Sequence, residues 1–381
     1  MSGPFSDVCV LDLTSLFSGP MAKLILLDQG ADVNKIEAAD GDFPRHVTAR
    51  RAGYSAAFLK NNRNKNSVVL DQKSDKDKAA LLKMAAQWDI FVQNFRPGMA
   101  DHLGFGEDAL QELNPRLVYL SIAGLGFKGP LADRSVYDPL IQAISSLASV
   151  QTGSDQARPK LVRKILSDKL PEVLASQALT VAFFHRELSD KGHSARLSML
   201  DKIVSFLWGS DMVGHTFVGD ERDAKEAQSF IDLICEVFDG YVSVAIMQDK
   251  HLDAFAYAVG HAQRLSDARF VTAELREVHR YARLKVTQDA IRTYSCEELI
   301  RLLDNAGVPC APVLKRHQMR QHPQTVANES LVEYAHNQAG RLRQAAPVKR
   351  FSRTPSRVRN VAPVLGANTQ TVLAEFGIEP C

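Results

Sequence analysis

At 381 residues the chain is long for one hydrophobic core and reads as two domains. Its 45% apolar and 24% charged residues are those of an ordinary soluble globular protein, with no apolar run near the roughly twenty residues of a membrane span. A net charge of +2 leaves basic and acidic residues nearly matched, which argues against a nucleic-acid-binding face. Five scattered cysteines (Cys9, Cys235, Cys296, Cys310 and Cys381) fit reduced thiols in a cytoplasm and supply no zinc framework. The opening "MSGPFSDVCVLDLT" has no basic stretch ahead of a long apolar run, so no secretion signal is expected.

"DVCVLDL" (7–13) predicts a strand, "TSLFSG" a loop, and Pro20 the first turn of a helix that Gly30 ends. "ADVNKIE" (31–37) closes a βαβ unit, so a parallel sheet begins the protein. Three more strands are expected in 66–72, 88–94 and 116–124. Helices fall between them in "DKDKAALLKMAAQ" and "GEDALQELN". The first half is therefore α/β with a doubly wound parallel sheet, whose ligands bind beyond the carboxyl ends of the strands. "GLGFKG" (124–129) matches a dinucleotide pattern but opens no helix, because Pro130 and a loop follow. A nicotinamide cofactor is thus disfavoured, and the glycines read as a mobile loop able to offer backbone N–H groups.

Asp138, followed by Pro139, and Asp168, in "KILSDKLPEV", each stand at an expected helix start. Asp is a favoured N-cap there, so local sequence supports capping at both positions and leaves a chemical role open. A long helix with an apolar, buried middle follows Asp168; a strand and another helix follow it in "GHSARLSMLDKIVSFLWG". From "GDERDAKEAQ" the character changes. "FDGYVSVAIMQ" is a turn feeding a strand, and "DKHLDAFAYAVG" and "SCEELIRLLDNAG" are helices. Ser295 and Glu298 have capping-box spacing, and Gly307 is the stop. The tail (362–378) holds a loop and a final helix. His317 and His322 complete no ligand set, so no metal site is expected.

Taken together, the segments resemble family III CoA-transferases, the group of formyl-CoA transferase and carnitine CoA-transferase. The likeness runs in order through "VLDLTSLFSGPMAKLILLDQGADVNKIE", "NNRNKNSVVLDQK", "DIFVQNFRPGMADHLGFG", "LNPRLVYLSIAGLGFKGP", "YDPLIQAISSLASVQTG", "GHSARLSMLD", "FDGYVSVAI", "DARF", "GVPCAPVL" and the tail. It implies an open, Rossmann-like large domain from residues 1–200 and 335–381, an α+β small domain at 220–315, linkers at 201–219 and 316–334, and an interlocked homodimer. It further implies that Asp168 is the nucleophile toward an acyl-CoA thioester, with Asp138 as a neighbouring acid. Leu16, Phe17, Lys73, Asn94, Phe95, Arg96, His102, Gly124, Gly126 and Tyr137 are implied to bind CoA, which is a substrate with a carboxylic acid rather than a resident cofactor. No nucleic-acid or membrane partner is implied.

Departures exist. Phe17 and Ala38 stand where formyl-CoA transferase has a glutamine and an arginine, and its glycine-rich small-domain loop has no counterpart, which argues against formyl-CoA and oxalate. An α-methylacyl-CoA racemase, similar in fold, uses an acid at the Asp168 position but needs an opposing His–Asp pair. Here Tyr137 precedes Asp138, and an unperturbed tyrosine pKa of about 10 suits that task poorly. A CoA-binding homologue without turnover is the third reading.

Overall fold

The structure, a computed structural model, describes residues 3–16, 18–153, 156–219, 233–246, 248–260 and 267–378. It divides into two compact units, one made of residues 1–229 with 328–381 and the other of 230–327.

In the first unit, six strands form one parallel sheet: β1 (Cys9–Asp12), β2 (Asp32–Glu37), β3 (Asn66–Val69), β4 (Ile90–Gln93), β5 (Val118–Ala123) and β6 (His193–Ser198), in the spatial order β3-β2-β1-β4-β5-β6. The central strands are short, apolar and covered on both sides, as a parallel sheet requires, while the edge strand β6 (HSARLS) is polar and partly exposed. Val10, Leu11, Val33, Ile90, Phe91, Val92, Val118 and Leu120 are all fully buried. On one face α1 (Ser18–Asp28) and α5 (Leu166–Ser189) bury Leu26, Leu27, Ala175 and Leu179. On the other, α2 (Asp75–Ala85), α3 (Glu107–Leu113) and the C-terminal helix Thr369–Glu375 bury Leu81, Met84, Leu110, Val372 and Leu373. Both ends of the chain thus build one layer structure.

The winding reverses between β1 and β4, the pair at the centre of the sheet. The loops leaving their carboxyl ends diverge there and leave a crevice. Two further helices approach that end of the sheet, α4 (Asp138–Ile144) and α6 (Met199–Trp208).

α5 corrects two expectations. It starts at Leu166, ahead of Asp168, and it is not buried along its middle: Val173, Leu174, Val181, Phe184 and Leu188 face outward, with Phe184 64% exposed. Apolarity marked the residues, but only one stripe of the helix meets the sheet.

The second unit has a three-stranded antiparallel sheet of Ile234–Val237, Gly240–Val244 and Cys310–Pro312, with the middle segment in the centre. Helices Asp249–Ala258, Arg280–Ile291 and Cys296–Asn305 cover it over Val242, Phe255, Ile291, Leu299 and Leu303. Ser295 Oγ accepts the Glu298 N–H at 3.3 Å, and Gly307 takes φ 71° beyond the helix end. The stretch 316–334 carries two short helices, Arg316–Met319 and Pro323–Ala327, and the start of a hairpin, Leu331–His336 with Gly340–Ala345. "GDERDAKEAQ" lies, from residue 220, outside the described residues.

Candidate active site

Asp168 is the third residue of α5, whose N-cap residue is Ile165, so it does not cap its own helix. The helix end is capped from another helix, α4. Asp138 Oδ1 accepts the Ser167 backbone N–H at 2.6 Å, and Oδ2 accepts Gln142 Nε2, also at 2.6 Å. Asp138 is the first residue of α4, with Tyr137 as N-cap, so it too leaves its own helix end uncapped and serves its neighbour's. Gln142 extends the tie. It accepts the Val162 N–H at 2.9 Å and donates to the carbonyls of Val162 and Lys164 at 3.3 and 3.2 Å. The lead into Asp168 is thereby fixed to α4 through side chains that are almost completely buried.

The Asp168 carboxylate, by contrast, has no side-chain hydrogen bond among the described residues. Burial pushes it up to about 6, the nearby Asp138 charge adds to the rise, and Lys202 opposes it. A half-buried acid with its oxygens uncommitted is suited to attack or to proton transfer.

Asp168 lines a cavity of about 500 Å³ together with Ser15, Leu16, Asn94, Phe95, Arg96, Gly124, Tyr137, Asp138 and Met199. A second cavity of about 550 Å³ shares Ser15, Leu16, Phe43, Phe95 and Tyr137 with it and continues over Lys35, Ala38 and Gln72. Both lie in the first unit, at the crevice between β1 and β4.

The rim between the two cavities is a strained loop. Leu16 has φ 66°, a left-handed conformation that costs a non-glycine residue about 1–3 kcal/mol and persists only when overdetermined. Asp42 Oδ1 accepts the Leu16 N–H at 3.0 Å, and Asn94 exchanges two 3.0 Å bonds with the backbone of Ser15. Beneath the loop, Lys35 pairs with Asp42 at 2.8 Å and donates to the Thr14 carbonyl at 2.8 Å. Asp12 accepts Lys23 and Lys65 and the Thr14 hydroxyl. Burial works to raise the Asp12 carboxyl, but Lys23, Lys65 and Lys35 outweigh it and hold the group well below the usual carboxylate range. Burial pulls Lys23 down to about 7 despite Asp12. This buried charge network fixes the loop at the carboxyl end of β1.

Of the residues expected at the site, Leu16, Asn94, Phe95, Arg96, Gly124, Tyr137, Asp138 and Asp168 come together in the first cavity. Gly124 has no room for a larger side chain, since an added Cβ would fall 2.0 Å from Val136 Cγ2. Gly126 lines neither cavity; it is buried with φ 105°, which only glycine adopts readily. Lys73 is exposed and lines neither, though its neighbour Gln72 lines the second. His102 is exposed in Met99–Leu103, away from both. Phe17 lies outside the described residues.

Three contributors were missed from sequence. Gln142 follows Asp138 by four residues, a spacing that joins side chains on one helix face. Asp42 gave no local signal. Lys202 lies three residues after Met199 and one before Ile203, which places it on the buried face of α6, where its polarity hid it.

The pattern of CoA-transferase family III matches residues 5–369. An acetyl-CoA:oxalate CoA-transferase from Acetobacter aceti is 30% identical, covering 98% of this chain and 96% of that protein. A succinyl-CoA:glutarate CoA-transferase from Homo sapiens is 25% identical, covering 98% and 86%. Among solved structures, a CaiB/BaiF family protein from Brucella suis shares the fold with TM-score 0.84 and 23% identity, over 99% and 100% of the two chains.

Proposed function

This chain belongs to CoA-transferase family III, and on that premise we propose that it moves CoA from an acyl-CoA to a carboxylic acid through covalent intermediates on Asp168. An Asp168 oxygen attacks the thioester carbonyl carbon. The C–S bond breaks, and sulfur leaves with the electron pair as thiolate, giving a mixed anhydride. The thiolate attacks the Asp168 carbonyl carbon and releases the donor acid as its carboxylate, leaving an aspartyl-CoA thioester. The acceptor carboxylate repeats both steps in reverse. No proton or electron is exchanged overall, and activation is conserved because each intermediate is an anhydride or a thioester.

The observation that carries this reading is the contrast between the two acids. Asp138 has both oxygens committed and positions the entry to α5; Asp168 has none committed and faces the cavity. The backbone N–H groups of the first turn of α5 and of the glycine loop stand as candidates for the developing oxyanions. In this reading the CoA nucleotide takes the second cavity, near Ala38, Gln72 and Lys73, with Arg96 toward phosphate. Pantetheine passes Leu16, Asn94 and Phe95 to reach Asp168. His102 and Gly126 then act outside the direct contacts.

A homodimer belongs to the same proposal, supported by the outward apolar row of α5, and so does a cytoplasmic location, in keeping with free Cys9, Cys296 and Cys310. No described helix is long and apolar enough to cross a membrane.

The test is Asp168→Asn assayed with a panel of acyl-CoAs and carboxylic acids that includes oxalate, succinate and glutarate. Transfer should fall by about 10³-fold or more. Undiminished transfer, or deuterium exchange at the acyl α-carbon with no transfer by the unmodified enzyme, would defeat the reading.

A further inference from the structure

Lys202 is a buried amine that the chemistry above does not use; burial pulls it down to about 7 against the Asp168 charge, so it is cationic through the range in which Asp168 titrates. It lies in α6, one turn beyond Met199, which lines the cavity beside Asp168. Residues three apart share a helix face, so Lys202 follows Met199 and Ile203 inward. Those two pack in one apolar cluster with Leu166 and Leu170, the residues that bracket Asp168 on α5. Lys202 is 5% exposed, and its Nζ has no hydrogen-bond partner among the described residues. An ammonium in that condition is expensive, since it loses hydration and gains no bond in return. The opposing charge acting on it is the Asp168 carboxylate; those acting on Asp168 are Asp138, which repels, and Lys202, which attracts.

We infer that Lys202 is a positioning residue for Asp168, a fixed counter-charge behind the nucleophile that keeps the carboxylate ionised against its burial and against Asp138. This rests on the transferase reading of Asp168. In the first step the negative charge passes from the carboxylate oxygens to the thiolate sulfur and no proton moves, so one stationary cation serves reactant and product alike. Lys202 itself lines neither cavity.

The test is carbon NMR of protein labelled at the aspartate carboxyl carbons, with the Asp168 signal assigned by difference from Asp168→Asn. The Asp168 titration should centre near 6, as it should with Lys202→Arg. In Lys202→Met it should move up by about one pH unit, and the acid limb of acyl capture at Asp168 should move with it. Because methionine fills the site without the orphaned charge, the thermal midpoint at pH 7 should stay level or rise; a merely structural lysine would lower it. Lys202→Gln gives a second neutral variant should Lys202→Met fail to fold. An Asp168 midpoint that is the same with and without the lysine charge overturns the inference. Absence of acyl capture at Asp168 in the unmodified enzyme would instead overturn the transferase reading, which the titration does not require.

Discussion

Two aspartates thirty residues apart differ in what is left for each carboxylate to do. Asp138 is consumed by the Ser167 N–H and Gln142, whereas Asp168 is desolvated and unbonded. The ordinary carboxyl value of 3.8 moves to about 6 in Asp168, so the nucleophilic, ionised form is lost as pH falls through 6. Acyl capture should therefore show an acid limb near 6. Asp138→Asn removes the repelling charge, so the limb should move to lower pH. The same substitution sets an amide against Gln142 Nε2, a donor facing a donor, and should cost about 1–3 kcal/mol in thermal or urea unfolding. A limb that stayed in place would show that Asp138 has no electrostatic hold on Asp168.

At the scale of elements, the site depends on where α5 begins. A Ser cap on its own helix was legible, as Ser295 with Glu298 shows, whereas the own-helix caps expected at Asp138 and Asp168 do not form. The cap of α5 was not, because its acceptor is 29 residues away on another helix. No local pattern encodes such a partner. The apolar strands were legible from their short, uninterrupted runs; the loop of Leu16 was not, since its strained conformation is imposed by Asp42 and Asn94 from other strand ends. Gln142→Ala should release the 162–168 entry by orphaning Asp138 Oδ2 and the Val162 N–H. We expect turnover to fall by about tenfold or more, with acyl-CoA binding little changed. A loss confined to binding would place Gln142 outside the positioning of Asp168.

Across the whole molecule, both chain ends build the layered unit that carries the site, a strand from one end and a helix from the other, and its charged groups are paired in the interior: Asp12 with Lys23 and Lys65, Lys35 with Asp42, Arg63 with Asp28. Pairs of this kind are costly to break on one side only. The family resemblance proposed the site as a set, of which eight residues meet in one cavity and Lys73, His102 and Gly126 line neither of the two; residue patterns alone reached an α/β sheet, two acids and a glycine loop. Lys202 escaped both routes, since a lysine in an amphipathic helix reads as solvent-facing until its burial is seen. The outward row Val173, Val181, Phe184 and Leu188 on α5 is too apolar to be left in water. Sedimentation should give the mass of two chains, and Phe184→Asp with Leu188→Asp should yield monomers or aggregates. A monomeric unmodified protein would contradict the dimer proposal.

Transfer of CoA through Asp168 requires that its carboxylate become covalently acylated. Incubation with acyl-CoAs, trapping with hydroxylamine and peptide mass spectrometry test it most directly. The expected result is a hydroxamate at Asp168, absent in Asp168→Asn and matched by release of free CoA. An unmodified Asp168 across a broad panel of acyl-CoAs that still bind would show that CoA does not pass through this residue.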